Sequence, residues 1–536
     1  MSEPTVRDAV PILTGIAKDY IELRASGTPW ILVSTQDVDG AIKRLVAVIP
    51  PGAEVPVQVV WNLAAGHRVV AGGSEGLRIA SNALPPDTAN KPFPLLGAAA
   101  KLPPGSVLFI EVPGSDFWRS DITVSAILNL RAPFKATSRC LVLLARPGAG
   151  DRLPPQLDAD VPVLREELPD DAALRVVVDK VVDDNEVVAS DDARTRAVAN
   201  IRGMTAFAAE NAAARKCLTG TLDADGLREV RRASIEASTG GALTFETAPF
   251  TFDDVGGMTA FKDFSSRLMK GPESPDIILR LDELEKTIGS NATGATADNT
   301  GVSQDLLRVL LTNIEDNEWL CGIMAGCPGA GKTMTSIALG NTFGRTVLAG
   351  DLGRCKGSLV GESEAALRRL FDTVKAIGGR RVLVLATVNR MDTLPPELLS
   401  RAGAFGVWYS DTPSAAQRAV IWKLQLKAHG LDLEQKLPDD KGMVGRDIRN
   451  IARLAKLLAC PVVEVAPFAQ RTAAVSAELI DISRFEAQVR GYLDMDEPGP
   501  YRRRTEEDAE LLSVANSGAR RVIRIIPTGG GQVGDA

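Results

Sequence analysis

Apolar positions along the chain fall into two successive alternations of short runs and longer amphipathic stretches. From about residue 20 to 180 the runs are Pro29-Trp-Ile-Leu-Val-Ser, Pro56-Val-Gln-Val-Val-Trp, Ser106-Val-Leu-Phe-Ile-Glu and Cys140-Leu-Val-Leu-Leu-Ala, with helical segments between them. Short apolar strands alternating with helices predict an α/β domain. A helical stretch, about 194–238, leads into Thr247-Ala-Pro-Phe-Thr-Phe-Asp-Asp-Val-Gly-Gly-Met, whose Pro, Gly and Asp residues read as a domain boundary. A second α/β pattern then runs to Asp411, and a mostly helical one to Tyr492. The predicted organisation is an α/β domain over 1–190, a helical connector over 191–245, an α/β core over 246–411, a helical lid over 412–492 and a flexible tail over 493–536.

Composition narrows the class of protein. A chain of 536 residues is longer than one hydrophobic core usually supports. Its formal net charge of −7 gives no reason to expect bulk binding of nucleic acid. The six cysteines lack C-x-x-C spacing, which favours reduced thiols in a cytoplasmic protein over zinc or disulfides. His67 and His429 are the only histidines, and neither has a neighbour at metal-ligand spacing. The amino terminus has no basic region followed by an apolar one, and the chain has no apolar run of about 18 residues, so the sequence predicts neither secretion nor a membrane span.

The sharpest chemical signal is Gly326-Cys-Pro-Gly-Ala-Gly-Lys-Thr333, directly after the apolar run from Trp319 and ahead of a helical segment. Small residues at a strand end that opens a helix let backbone N–H groups approach phosphates closely. Pro328, Gly329, Ala330, Gly331 and Met334 therefore belong to a predicted phosphate cradle, with Lys332 reaching the β- and γ-phosphates and Thr333 offering its hydroxyl to Mg²⁺.

Such a cradle needs an acidic strand end to hold the metal and polarise water. None follows the cradle where it is expected, because the helix over about 364–377 runs straight into Arg381-Val-Leu-Val-Leu-Ala-Thr-Val-Asn-Arg. An apolar run ending in Asp282 and Glu283 occurs instead upstream, in Asp276-Ile-Ile-Leu-Arg-Leu-Asp-Glu. A strand's place in a parallel sheet depends on its neighbours rather than on chain order, so a relocated strand-helix unit can complete the site.

Taken together, the region from Thr251 to Tyr492 resembles the AAA+ ATPase family. Thr251-Phe-Asp-Asp-Val-Gly-Gly is similar to the family segment whose backbone meets adenine, which implies nucleotide-binding positions at Asp254, Val255 and Gly256. Leu359-Val-Gly-Glu-Ser-Glu resembles the pore-loop stretch, with Leu359 where an aromatic residue grips substrate in protein-remodelling members. Asn389 in Ala386-Thr-Val-Asn-Arg matches the residue that helps orient the attacking water. Arg401 falls on the first of two family arginine-finger positions, and the second is Ala404. Arg446 in Val444-Gly-Arg-Asp-Ile matches a candidate for contact with the γ-phosphate. The amino-terminal half more distantly resembles degenerate ATPase-like domains, through Phe109-Ile-Glu-Val-Pro and Asn129-Leu-Arg-Ala-Pro-Phe-Lys.

The resemblance implies a parallel P-loop sheet of AAA+ type with a C-terminal helical lid, preceded by a degenerate α/β ATPase-like domain. It implies ATP and Mg²⁺ as ligands, with Asp282 and Thr333 on the metal. Glu283, Asn389, Arg401 and Arg446 take the catalytic positions, in a homo-oligomeric ring that remodels an unidentified protein substrate. Two other readings stay open: a nucleotide-dependent switch or scaffold with little turnover, and a DNA-handling ATPase. Arg502-Arg-Arg and Arg520-Arg are too short to favour the last.

Overall fold

The computed structural model describes residues 15–48, 55–86, 88–89, 91–147, 151, 153–288, 302–355, 362–390, 394–472 and 477–503. Compact packing divides the chain into two units, one drawn from 1–245, 297–319 and 348–382, the other from 246–296, 320–347 and 383–536.

The first unit contains a six-stranded sheet built from β1 (Trp30–Ser34), β2 (Gln58–Asn62), β3 (Gly66–Ala71), β4 (Val107–Glu111), β5 (Cys140–Ala145) and β6 (Val163–Arg165), in the order β3-β2-β4-β5-β1-β6. The pairings are parallel except for the β2–β3 hairpin. β1 and β5 are buried along their whole length, as expected of central strands covered on both faces.

Four helices, Asp171–Asp184, Asp191–Ile201, Ala206–Cys217 and Leu227–Ser238, share an apolar core of their own that includes Leu174, Val178, Ile201, Ala213 and Leu227. The helical segment therefore starts near 171 rather than 191. Its first helix carries apolar side chains at helical spacing, capped by Asp170.

The second sheet has seven strands: β7 (Leu243–Phe245), β8 (Ile277–Leu281), β9 (Leu320–Gly326), β10 (Thr346–Gly350), β11 (Val382–Val388), β12 (Gly406–Ser410) and β13 (Leu493–Asp494). Their order is β13-β12-β9-β11-β8-β10-β7. β9 pairs in parallel with β11 and β12.

The two sheets share one plan. β2, β4, β5, β1 and β6 of the first occupy the same sequence of places as β10, β8, β11, β9 and β12 of the second. In the first sheet the strands of this plan follow the chain as β1, β2, β4, β5, β6. In the second, β8 precedes β9 instead of following β10. The acidic strand is thus early in the chain while lying between β11 and β10.

The lid contains Ala415–His429, opened by a reciprocal Ser414–Gln417 capping box, and Gly445–Leu458, with Trp422, Ile448, Ile451 and Val462 in a shared core. The tail boundary expected at 493 falls too early. β13 pairs in parallel with β12 at Trp408 and Tyr409, and Tyr501 is 2% exposed. The Pro, Gly and acidic residues there read as a tail, but Tyr492, Met495 and Tyr501 are buried.

Candidate functional site

β9 ends at Gly326, which has φ 141° and a backbone so close to β12 that an added Cβ would lie 2.0 Å from the Ser410 carbonyl oxygen. The chain then turns through Gly329 and Gly331, both left-handed at φ 85° and 95°, before the helix Lys332–Thr342 begins. At Gly329 a Cβ would meet Arg446 Cβ at 2.9 Å and Val444 Cγ2 at 3.0 Å, so the lid closes directly on the loop. The Arg446 N–H donates to the Gly329 carbonyl at 3.2 Å. Ala330 packs against Cys327, Val444 and Ile480, while Met334 packs on the core around Phe261 and Met324. Pro328 and Arg446 line a cavity of about 650 Å³ together with Asn450, Arg453, Phe468 and Thr472.

Lys332 is 6% exposed, and its ammonium donates to the Gly326 carbonyl (2.8 Å), the Cys327 carbonyl (2.9 Å) and Asn389 Oδ1 (3.0 Å). Burial pushes this amine down to about 8, with Arg446 acting in the same direction and Cys327, Glu285 and Glu283 opposing it. Burial also raises the Cys327 thiol to about 11, which keeps it a neutral filler of the loop. All six cysteines are free.

Asp282 and Thr333 come together. Thr333 Oγ1 donates to Asp282 Oδ1 at 3.2 Å, and Thr387 Oγ1, from β11, donates to the same oxygen at 3.0 Å. The other Asp282 oxygen is ion-paired with Arg280, which also holds Glu246 Oε2 at 3.0 Å. Thr387 Oγ1 in turn accepts the Glu283 N–H at 3.2 Å.

Glu283 is left-handed at φ 49°, a conformation uncommon outside glycine, Asn and Asp, at the turn between β8 and the helix Leu284–Ile288. Its carboxylate takes Lys286 Nζ at 2.5 Å and the Asn389 side-chain amide at 3.5 Å. The Asn389 N–H donates to Glu285 Oε1 at 3.0 Å, so Asn389 links Lys332 to the acidic turn.

The expected adenine segment is fixed by its neighbours. Asp254 Oδ2 accepts the Thr251 N–H at 2.8 Å and thereby caps its own turn. Val255 is buried, and a Cβ on Gly256 would reach the lid's Ile421 Cγ1 at 2.7 Å. Arg401 ends the helix Pro396–Arg401 and donates to the Glu397 carbonyl at 3.3 Å. Leu359 lies outside the described residues.

Sequence reasoning missed Arg280, Thr387 and Glu285. Arg280 had a signal, a lone cation inside an apolar strand. Thr387 and Glu285 had none, because their roles depend on the adjacency of β8 and β11.

Among the described residues no three His, Cys, Asp or Glu side chains form a metal cage. Mg²⁺ at a nucleotide site is held by one or two protein oxygens plus phosphates and water, so the Asp282–Thr333 pair has the donor set such an ion takes. Also among the described residues, no helix is long and apolar enough to cross a membrane.

A strand, a glycine-shaped loop, a buried lysine at a helix start and an adjacent carboxylate define a P-loop nucleotide-binding domain. Residues 322–378 match the sequence profile of the ATPase family associated with various cellular activities (AAA), so the chain carries an AAA-type segment there. The profile match begins in β9, so β8 with its acidic end lies ahead of it.

The chain is 27% identical over 144 residues to an uncharacterized AAA domain-containing protein, ycf46, of Guillardia theta, covering 20% of this chain and 28% of that protein. It is 24% identical over 144 residues to the ycf46 protein of Trieres chinensis, covering 20% and 29%. The chain thus spans under a third of the length of these relatives.

Proposed function

We propose that the chain binds ATP with Mg²⁺ at the Lys332 loop, hydrolyses it, and works as a ring-forming remodeller of protein complexes. The observation that carries the enzymatic part is the junction of Thr333, Asp282 and Thr387, since it brings an acidic strand end from upstream of the loop to the loop's own threonine. Thr333 and Asp282 would hold Mg²⁺, which when bound neutralises charge on the β- and γ-phosphates.

Lys332 and the backbone N–H groups of 329–333 bind the phosphates, and Val255 and Gly256 present backbone to adenine. Asn389 and Glu283 orient a water. Its oxygen forms the new bond to the γ-phosphorus, its proton passes to the Glu283 carboxylate, and the bond to the bridging oxygen of ADP breaks. Arg446 adds positive charge beside Gly329. Arg401 from a neighbouring chain supplies charge to the transferring group, a contribution of about 10³ to 10⁵ in rate for arginine fingers in general.

The Glu283–Lys286 ion pair and Ala404 at the second arginine-finger position favour a second reading, a nucleotide-dependent scaffold with slow turnover. Steady-state ATP hydrolysis against protein concentration, for wild type and Glu283→Gln, separates the two. A per-subunit rate that rises with concentration, together with a variant that binds ATP yet barely turns it over, fits the enzyme. Binding without hydrolysis in either protein fits the scaffold. Unaltered turnover in Glu283→Gln removes this residue from the mechanism.

A further inference from the structure

The segment after the lid, residues 492–501, makes contacts that the nucleotide chemistry described above does not use. It does not run off the surface. β13 lies along β12, Met495 N–H donates to the Tyr409 carbonyl at 3.2 Å, and an antiparallel bridge between Leu493 and Pro500 folds the strap back on itself. Asp494 Oδ1 accepts the Asp496 N–H at 2.8 Å, which closes the turn and aims the next side chain.

That side chain reaches the far end of the domain's sequence. Asp496 Oδ1 accepts the Met258 N–H at 2.6 Å across 238 residues, and the Met495 carbonyl accepts the Phe261 N–H at 3.0 Å. The first turn of a helix leaves N–H groups without intrahelical partners. The helix Thr259–Met269 starts at Met258, which is left-handed at φ 56° and has no side-chain cap of its own. The strap supplies what the local sequence lacks.

Met258 is also the point where this turn meets the phosphate loop. Thr335 Oγ1, in the loop's helix, donates to Met258 Sδ at 2.9 Å, and a Cβ on Gly331 would lie 3.5 Å from Met258 Cε. On its other side Met258 follows Val255 and Gly256, the residues expected to face adenine. Gly257, left-handed at φ 76°, sits tightly between Gln417 of the lid and Asp496, and a Cβ there would approach their polar atoms to 2.9 and 3.2 Å.

We propose that Asp496 is a positioning residue for nucleotide-base recognition. It anchors the Met258 turn so that the backbone of Val255 and Gly256 is held at a fixed place relative to the phosphate loop. Asp496 Oδ1 holds the Met258 N–H, on the side of the turn that leads to Val255 and Gly256, so its influence is expected to fall on the base end of the ligand and to spare the triphosphate end. The inference rests on the proposed function, because it presumes that residues 255–256 meet adenine.

The test uses the full chain and two probes, ATP and inorganic tripolyphosphate, each titrated with Mg²⁺ present. Asp496→Ala is expected to weaken ATP by about tenfold, the size of one lost charge-assisted hydrogen bond, while leaving tripolyphosphate affinity within about twofold. Asp496→Asn keeps an acceptor oxygen and is expected to retain most ATP affinity. Hydrogen exchange at the Met258 amide provides a measurement that needs no nucleotide, and it is expected to accelerate in Asp496→Ala and not in Asp496→Asn.

Undiminished ATP affinity in Asp496→Ala overturns the proposal. Equal losses for both probes also overturn it, since they indicate a general structural role. Should Asp496→Ala not fold, Asp496→Glu, which moves the acceptor by one methylene, is expected to show the same selective loss in weaker form, and its absence overturns the proposal. A wild-type chain that binds tripolyphosphate but not ATP refutes the ATP reading itself, an outcome distinct from a failure of Asp496.

Discussion

Removing the carboxylate of Asp411 tests how the helix Ala477–Val489 is bound to the nucleotide domain. Asp411 follows β12, and its Oδ1 pairs with Arg484 Nε at 2.8 Å, with side-chain exposures of 1% for Arg484 and 3% for Asp411. Tyr501 donates its hydroxyl to Asp411 Oδ2 at 2.5 Å, and Arg484 Nη2 donates to Thr412 Oγ1 at 2.8 Å. Burial by itself lowers the affinity of the Arg484 guanidinium for its proton, yet the charge and hydrogen bond of Asp411 hold it above its ordinary value.

Taking away one member of a buried pair leaves the other charge without compensation, which costs about 3–5 kcal/mol. Asp411→Ala is therefore expected to raise amide exchange in the helix Ala477–Val489 and the strap by about 10² to several times 10³, read by hydrogen exchange with mass spectrometry. Arg484→Met is expected to do the same. The double variant recovers part of the loss, because an apolar replacement of the whole pair leaves no buried charge behind. Single variants that change exchange less than about threefold, or a double variant whose cost is the sum of the two, refute this account of the pair.

Two further outcomes concern the phosphate loop. Burial holds the Lys332 amine at about 8, below its ordinary 10.5, so between these values the unfolded chain binds a proton that the folded chain has released. The contribution of this group to folding stability is consequently lowest below pH 8 and rises toward pH 10.5. Phosphate anions favour the ammonium form, so ATP binding between pH 8 and 9 is expected to take up protons, measurable by calorimetry in buffers of different ionisation enthalpy; zero uptake there contradicts the burial argument. At Thr387, replacement by Val removes the hydroxyl that joins Asp282 to the Glu283 N–H and is expected to lower hydrolysis at least tenfold, with Thr387→Ser restoring most of it; equal rates in all three proteins rule out that bridge.

The cradle was legible because its chemistry is local. Gly326, Gly329 and Gly331 stand where positive φ is needed, and Lys332 and Thr333 follow at once. The acidic turn was legible from an apolar strand that ends in two carboxylates. What sequence does not carry is adjacency between strands: Thr387 becomes part of the site only because β11 lies beside β8. Arg280 illustrates a second limit. A cation in an apolar strand is visible as an anomaly, but its partners Glu246 and Asp282 emerge only from the fold. The strap was misjudged for a different reason. Its composition is that of a solvated tail, and a few apolar side chains, Tyr492, Leu493, Met495 and Tyr501, carry the surface that packs it against the domain.

The first sheet supplies an internal control for the altered strand order of the second. At the end of β1, in the place β9 takes in the second sheet, only Thr35 and Gln36 intervene before Asp37, whose carboxylate accepts the Gly40 N–H and caps the next helix. Thr35 and Arg44 are tied to Glu166 at 2.5 and 2.6 Å. A carboxylate of the chain thus takes a helix-start donor that a phosphate loop leaves for its ligand. In this sheet the strand corresponding to β8, which is β4, follows β2 in the chain and ends in Glu111, whose carboxyl is raised by burial and by Asp39. The same plan is therefore realised twice with different chain orders, and the order with the early acidic strand is the one that also has the glycine-shaped loop. Chain order affects how the strands are connected, whereas the site depends on which strand ends lie side by side, and here the end of β8 brings Asp282 beside Thr333 although β8 precedes β9 in the chain.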